Sequence, residues 1–197
     1  MSEERNPVQE LVLHARSGSP EAFEAIYRAC QAGIYTFILS QVREPEAAAD
    51  LTQQTFVRAW QSLPRLRQTG AFRGWLHRIA MNLIRDEAKS GRVRLEVQAS
   101  ELGNSDWAER GSALEEGPEE AALRDELRRR VWEALALLPA EQRAVVVLHH
   151  LEGLPVTEIA AATGVRPGTV MSRLSRAREA LRQRLSHYVE VEAHEMR

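Results

Sequence analysis

From residue 91 to residue 118 the chain reads GRVRLEVQASELGNSDWAERGSALEEGP, and over this span it sustains neither a helical nor a strand apolar period. Three internal Gly and several Ser add to the loss of pattern, so the segment is expected to be a linker, with Trp107 as its one candidate anchor. This constrains the fold more than any other feature. A chain of 197 residues cut there leaves two short pieces, each large enough for a small domain only.

Both pieces are punctuated as helices. Asn6-Pro7 and Ser19-Pro20 each set a capping side chain before a proline, and Glu10 or Glu21 follows near the positive end of the helix dipole. Gly18 ends the first helix, and the second carries Phe23, Ile26, Tyr27, Ile34 and Phe37. A third is expected from Pro45 to about Leu63, stopped by Pro64; a fourth begins near Gly70 to Ala71 and carries Phe72, Leu76, Ile79, Leu83 and Ile84. After the linker a helix is expected from about Glu119 through Leu138, a break at Pro139, another helix through Leu151, and two short segments divided at Gly153 to Pro155 and at Gly164. With only 6% aromatic residues and no strand-rich region, the expected fold is all-α: two small helical domains joined by a flexible acidic linker.

The net charge of −2 conceals a pattern. From Leu51 to Ser90 seven basic residues face two acids, net +5; from Glu101 to Glu126 nine acids face two arginines, net −7; from Arg166 to Arg184 six arginines face one acid, net +5. Two basic blocks flanking an acidic one suggest two binding faces joined by a repelling or solvated connector. Twenty-five of the 26 basic residues are Arg, which Ala- and Arg-rich coding explains in general; the clustered arginines suit bidentate phosphate and base contacts. The single cysteine, Cys30, excludes an internal disulfide and a CxxC metal pair. No run reaches the roughly 18 apolar residues of a spanning helix, and the polar start MSEERNPVQE does not resemble a signal peptide, so neither membrane insertion nor secretion is expected and the expected location is the cytoplasm.

The run VTEIAAATGVRPGTVMSRLSRAREAL has the layout of a helix-turn-helix. Ile159 and Ala160 face inward, Gly164 permits a sharp turn, and Val165, Val170 and Leu174 pack the second helix on the first. Thr169, Ser172, Arg173 and Arg176 are then expected to project from the end of the helix that enters a major groove, with Arg178 and Arg182 suited to phosphate.

Taken together, Asp50 to Trp60 (DLTQQTFVRAW), Phe72 to Asn82 (FRGWLHRIAMN) and Leu138 to Leu181 resemble the extracytoplasmic-function (ECF) sigma factors, a compact branch of the sigma-70 family. The resemblance covers nearly the whole chain in order. It implies a sigma region 2 over residues 1–92, a linker over 93–118, a region 4 over 119–186 and a tail over 187–197. It also implies core RNA polymerase binding through Asp50, Gln53, Gln54, Phe56 and Trp60, with Gln54 standing where many members carry Glu.

For the minus-10 element the resemblance implies strand opening and capture of an unpaired base by Arg67, Gln68, Thr69, Trp75, Arg78, Asn82 and Arg85. Here Leu66 replaces an aromatic, and Gln-Thr-Gly replaces the usual Gly- and Asp-containing run. For the minus-35 element it implies reading by Thr169, Ser172, Arg173, Arg176 and Arg178, with Met171 at a position that is often basic. The family commonly has an anti-sigma partner, and the acidic linker resembles the segment that passes through the RNA exit path of the polymerase.

Two rival readings fit less well. A DNA-binding regulator acting without polymerase leaves DLTQQTFVRAW unexplained. A metal enzyme built on His149, His150 and Glu152 needs two neighbouring imidazoles on one ion, yet adjacent helical side chains point about 100° apart, and no HExxH or Cys pair completes a set. No metal, cofactor or catalytic residue is therefore expected.

Overall fold

The computed structural model describes residues 7–91 and 118–195, with side chains over 8–91 and 124–186. Asn6, Trp107 and most of the acidic linker lie outside the described residues. Among the described residues there is no strand.

Four helices form the first unit: α1 (Pro7–Arg16), α2 (Pro20–Val42), α3 (Pro45–Ser62) and α4 (Phe72–Lys89). Their ends follow the punctuation. Gly18 takes a left-handed φ of 96° behind α1, and Ser19 caps α2 by accepting a hydrogen bond from the Ala22 N–H at 3.2 Å. Arg43 closes α2 in the left-handed region at φ 60°, its N–H donating to Leu39 O at 2.8 Å, a conformation that a non-glycine residue adopts at a cost. Pro64 sits in a 3₁₀ turn that ends α3, and a second 3₁₀ turn, Thr69–Ala71, leads into α4. The apolar stripes converge on a core in which Ile26, Phe37, Leu51, Leu63, Leu76 and Ile84 are at most 2% exposed.

The second unit holds α5 (Pro118–Ala136), α6 (Ala140–Val146), α7 (Val156–Thr163) and α8 (Pro167–Glu195). A π-helical turn, Val147–Leu151, extends α6. Gly164, at φ 74°, ends α7 with its N–H on Ala160 O at 2.9 Å, and Val165 N donates to the same carbonyl at 3.2 Å. Ile159, Val170, Leu174 and Ala177 are buried between α7 and α8, as the helix-turn-helix pattern requires. The last segment is longer than the sequence pattern indicates: α8 runs unbroken to Glu195, through most of the span read as a tail.

The two units share one apolar cluster, in which Phe37, Leu76 and Leu83 of the first are continuous with Leu148, Leu154 and Ile159 of the second. Helix α4 lies along α7, and α2 touches the α6 region. Arg143, 1% exposed, crosses between the units. It donates to Ala136 O at 3.1 Å and Leu138 O at 3.0 Å, closing the end of α5, and reaches Gln41 O of α2 at 3.5 Å.

Candidate functional site

Three surfaces collect the residues singled out by the sequence. The first is the outer side of α3. Burial of Leu51, Thr55, Phe56 and Ala59 turns the opposite side to solvent, where Asp50, Gln53, Gln54, Val57 and Trp60 form one exposed stripe. Phe56 is not on that stripe. It is 4% exposed, with its ring 4.8 Å from Tyr27 and 6.4 Å from Phe23, edge to face, so it builds the floor beneath the exposed stripe. Trp60 leans on Phe23 at 4.9 Å and keeps 38% of its surface in water. Between α2 and α3 these rings line an open groove of about 500 Å³ with Gln53 and Val57 on its wall. Val57, 51% exposed, was absent from the sequence-derived set, although its position three residues after Gln54 and three before Trp60 puts it in the same stripe.

The second surface is the loop after α3 with the outward side of α4. Leu66 points into the core, and its carbonyl accepts from Arg16 Nη1 at 3.2 Å, so the residue that replaces an aromatic anchors the loop from within. Arg67 and Gln68 are exposed and Thr69 is half-buried. On α4, Arg78 and Asn82 are exposed one turn apart, beside a half-buried Trp75 that packs on Phe72 at 5.7 Å. Arg85, two turns beyond Arg78, is already engaged: its Nη2 donates to Thr163 O of α7 at 2.6 Å.

The third surface is the start of α8. Arg176 and Arg178 stand in solvent, and Thr169 is half-buried. Two other residues expected here are occupied. Ser172 Oγ donates to Thr169 O at 2.9 Å, and Arg173, with a side chain 17% exposed, pairs with Glu141 of α6. Met171, 55% exposed, is a large apolar side chain facing solvent at this end of α8.

His149 and His150 do not meet Glu152. His149 Nδ1 donates to Leu154 O at 3.2 Å, whereas the Glu152 carboxylate turns toward α4, 3.3 Å from Arg73 Nη2 and 3.5 Å from His77 Nε2. Among the described residues no group of three His, Cys, Asp or Glu could hold a metal ion.

Burial pushes the Glu152 carboxyl up, but His77 and Arg73 beside it outweigh that effect and hold it below its ordinary value. The half-buried Cys30 thiol of α2, pushed up mainly by burial, also feels this carboxylate. A depressed carboxyl pKa contributes stability above the unfolded value, about 4.3 for Glu. That contribution is lost as pH falls through the lowered native value. The contact between the units is therefore expected to weaken as pH falls below about 4. Scattering profiles recorded from about pH 5 down to about pH 3 check this; a contact as tight at the lower pH as at the higher would contradict it.

Comparison with known proteins gives a consistent family. The family described as "Sigma-70 region 2" matches residues 26–93, and "Sigma-70, region 4" matches residues 128–181. The "Probable RNA polymerase sigma factor RfaY" of Xanthomonas campestris pv. campestris is 35% identical over 173 residues, which are 87% of this chain; the chain spans 42% of that longer protein. The "ECF RNA polymerase sigma-E factor" of Escherichia coli K12 is 34% identical over 178 residues, covering 88% of this chain and 91% of that protein. Among solved structures, CnrH in complex with the cytosolic domain of CnrY has the same fold, with a TM-score of 0.66 at 24% identity over 92% of this chain and 99% of that one.

Proposed function

The chain belongs to the sigma-70 family of RNA polymerase sigma factors, in its ECF branch, and on that premise we propose that it directs core RNA polymerase to specific promoters and assists opening of the minus-10 element. The observation that carries this reading is the separation of three exposed faces, on α3, on the loop and α4, and on α8, within one chain whose two halves match regions 2 and 4 in order. A regulator that acts without polymerase has no use for the first of these faces.

In this reading the α3 stripe of Asp50, Gln53, Gln54, Val57 and Trp60 docks on core polymerase, with Phe56 supporting it from below. Arg78 and Asn82, with Arg67 and Gln68 in the loop, meet the minus-10 strand: the arginines hold phosphates, and the amides offer hydrogen bonds to the edge of an unstacked base. Binding energy collected on the separated strand offsets the cost of unpairing it. In the minus-35 major groove Arg176 and Arg178 supply bidentate or phosphate contacts, and Met171 supplies an apolar contact of the kind a thymine methyl takes. Bond-making chemistry belongs to the polymerase, and the protein works with it in the cytoplasm. An anti-sigma partner completes the reading; it acts by covering these same faces.

Arg176→Ala separates base reading from phosphate contact. Loss of about 1 to 3 kcal/mol on one minus-35 sequence with relaxed preference at one position identifies a base contact; a uniform loss with a salt slope reduced by about one identifies a phosphate contact. Unchanged affinity and slope in quantitative footprinting of the polymerase complex would remove Arg176 from the interface.

A further inference from the structure

Helix α1 has 10 residues, too few to be stable alone, and it is held by its buried side, where Val12 is fully buried and Ala15 nearly so. Gln9, Val12 and Arg16 are spaced by three and four residues, so they line one side of the helix. That side runs along the loop between α3 and α4. Val12 anchors it in the core, and the polar residue at either end reaches the loop.

The loop consists of two 3₁₀ turns with an extended link between them. The first turn closes with Leu66 N–H on Leu63 O at 3.0 Å and the second with Ala71 N–H on Gln68 O at 3.3 Å, while Leu66 and Gln68 are extended, at ψ 114° and 100°. This link and the start of the second turn carry Arg67, Gln68 and Thr69. Both ends of the link meet α1. Arg16 Nη1 donates to Leu66 O at 3.2 Å, a charge-assisted hydrogen bond of a kind roughly twice as strong as a neutral one. The Leu66 side chain is buried, so its side chain and its carbonyl are both fixed. At the far end the Gln9 amide lies against Gly70, where a Cβ would be 3.3 Å from Gln9 Nε2.

We propose that α1 braces the strand-opening loop, with Arg16 as a positioning residue that sets the backbone of residues 66–70 to receive an unpaired base and Gln9 supporting the far end. The inference rests on the sigma reading for what the loop receives, and on these contacts alone for the loop being held. A loose link would lose conformational entropy on closing around a strand; a link braced beforehand loses less, and the difference appears as affinity. Arg16 acts through the main chain of Leu66 and not on the base. It is also exposed, which makes contact with a phosphate of the strand the competing role, and the two roles give different results.

The test compares the full chain with Arg16→Ala and Arg16→Lys. In the free chain, amide hydrogen exchange at Arg67, Gln68 and Thr69 should quicken about three- to tenfold in Arg16→Ala, with the helices and the urea midpoint close to wild type. In complex with core polymerase, affinity for a fluorescent single strand carrying the minus-10 element of a mapped candidate promoter should fall by a similar factor at an unchanged salt slope. Affinity of the same complex for a minus-35 duplex should stay as in wild type. Arg16→Lys, which keeps a charged donor on a slightly shorter stem, should recover most of both losses. Gln9→Ala should act in the same direction, and it decides the matter if Arg16→Ala does not fold. Loop exchange as slow in Arg16→Ala as in wild type would overturn the brace, and so would faster exchange with strand affinity unchanged. A salt slope reduced by about one with exchange unchanged would make Arg16 a phosphate contact instead. If no form captures the strand, wild type included, the sigma reading fails, and the exchange rates still decide whether α1 holds the loop.

Discussion

Trp60→Ala is expected to weaken binding to core RNA polymerase by more than 2 kcal/mol, about thirtyfold or greater, while changing the stability of the chain little. The two effects separate because the indole is divided between two environments. One face leans on Phe23 at 4.9 Å; the remainder, 38% of the residue, is presented to solvent at the mouth of a groove walled by Val57 and floored by Phe56. A large, stiff, half-exposed aromatic beside an apolar groove is the kind of side chain on which association energy concentrates. Phe56→Ala is the informative contrast. Removal of a ring 4% exposed should cost about 3 to 5 kcal/mol of folding stability, and binding would then be lost through unfolding. Titration of core polymerase with each variant, alongside urea denaturation, distinguishes the two. Loss of stability in Trp60→Ala with unaltered binding would place the polymerase contact elsewhere.

The second large effect is expected at Arg143. Arg143→Met keeps the apolar stem and removes the guanidinium, leaving the buried carbonyls of Leu138 and Gln41 short of a donor, while Ala136 O keeps Arg43 Nη1 at 3.4 Å. A buried acceptor left without a partner costs about 1 to 3 kcal/mol, so the variant should lose roughly 2 kcal/mol or more, seen as a lower urea midpoint. Arg143→Lys, with one ammonium in place of a fork, should recover part of that loss. A midpoint within about 0.5 kcal/mol of wild type for Arg143→Met would mean that these carbonyls find other partners on relaxation.

Residue order alone made much of this legible, for identifiable reasons. Ser19-Pro20 and Pro45 fix helix starts because a capping oxygen and a preset φ act within three residues, and Gly164 fixes the helix-turn-helix because only a left-handed residue turns the chain there. The exposed stripe of α3 is visible as a spacing, although residue type alone groups Phe56 with it and leaves Val57 out. Aromatic identity suggests a partner surface, whereas the helical angle assigns Phe56 to the floor.

What the sequence could not show depends on atoms far apart in the chain. The pairing of Arg173 with Glu141, the capping of α4 by Glu158 and the seating of Glu152 between Arg73 and His77 join residues 32 to 84 positions apart. No local period records them. The π-helical turn that aims Glu152 was hidden for a related reason, since a one-residue insertion in the hydrogen-bond ladder leaves the apolar pattern of VVVLHHL almost unchanged. His149, His150 and Glu152 look like a cluster in the sequence and are pulled apart by that same turn.

These placements alter how the arginine-rich blocks are understood. Of the first block, Arg78 stands in solvent while Arg73 and Arg85 are held by the second unit; of the other, Arg176 and Arg178 are exposed while Arg173 is tied to α6 and Arg182 to Glu179. Arg73 and Arg182 nevertheless keep 45% and 75% of their side chains exposed, so only Arg173, at 17%, is largely withdrawn.

The central claim is that this chain confers promoter-specific initiation on core polymerase. Run-off transcription tests it most directly: core polymerase and a mapped candidate promoter, with no added protein, with the chain, and with the chain carrying Asp50→Ala and Trp60→Ala. The account predicts a discrete transcript that requires the intact chain and falls with the altered α3 stripe. Equal output in all three reactions, with the chain alone still shifting the same duplex, would contradict it and identify a DNA-binding protein that works without polymerase.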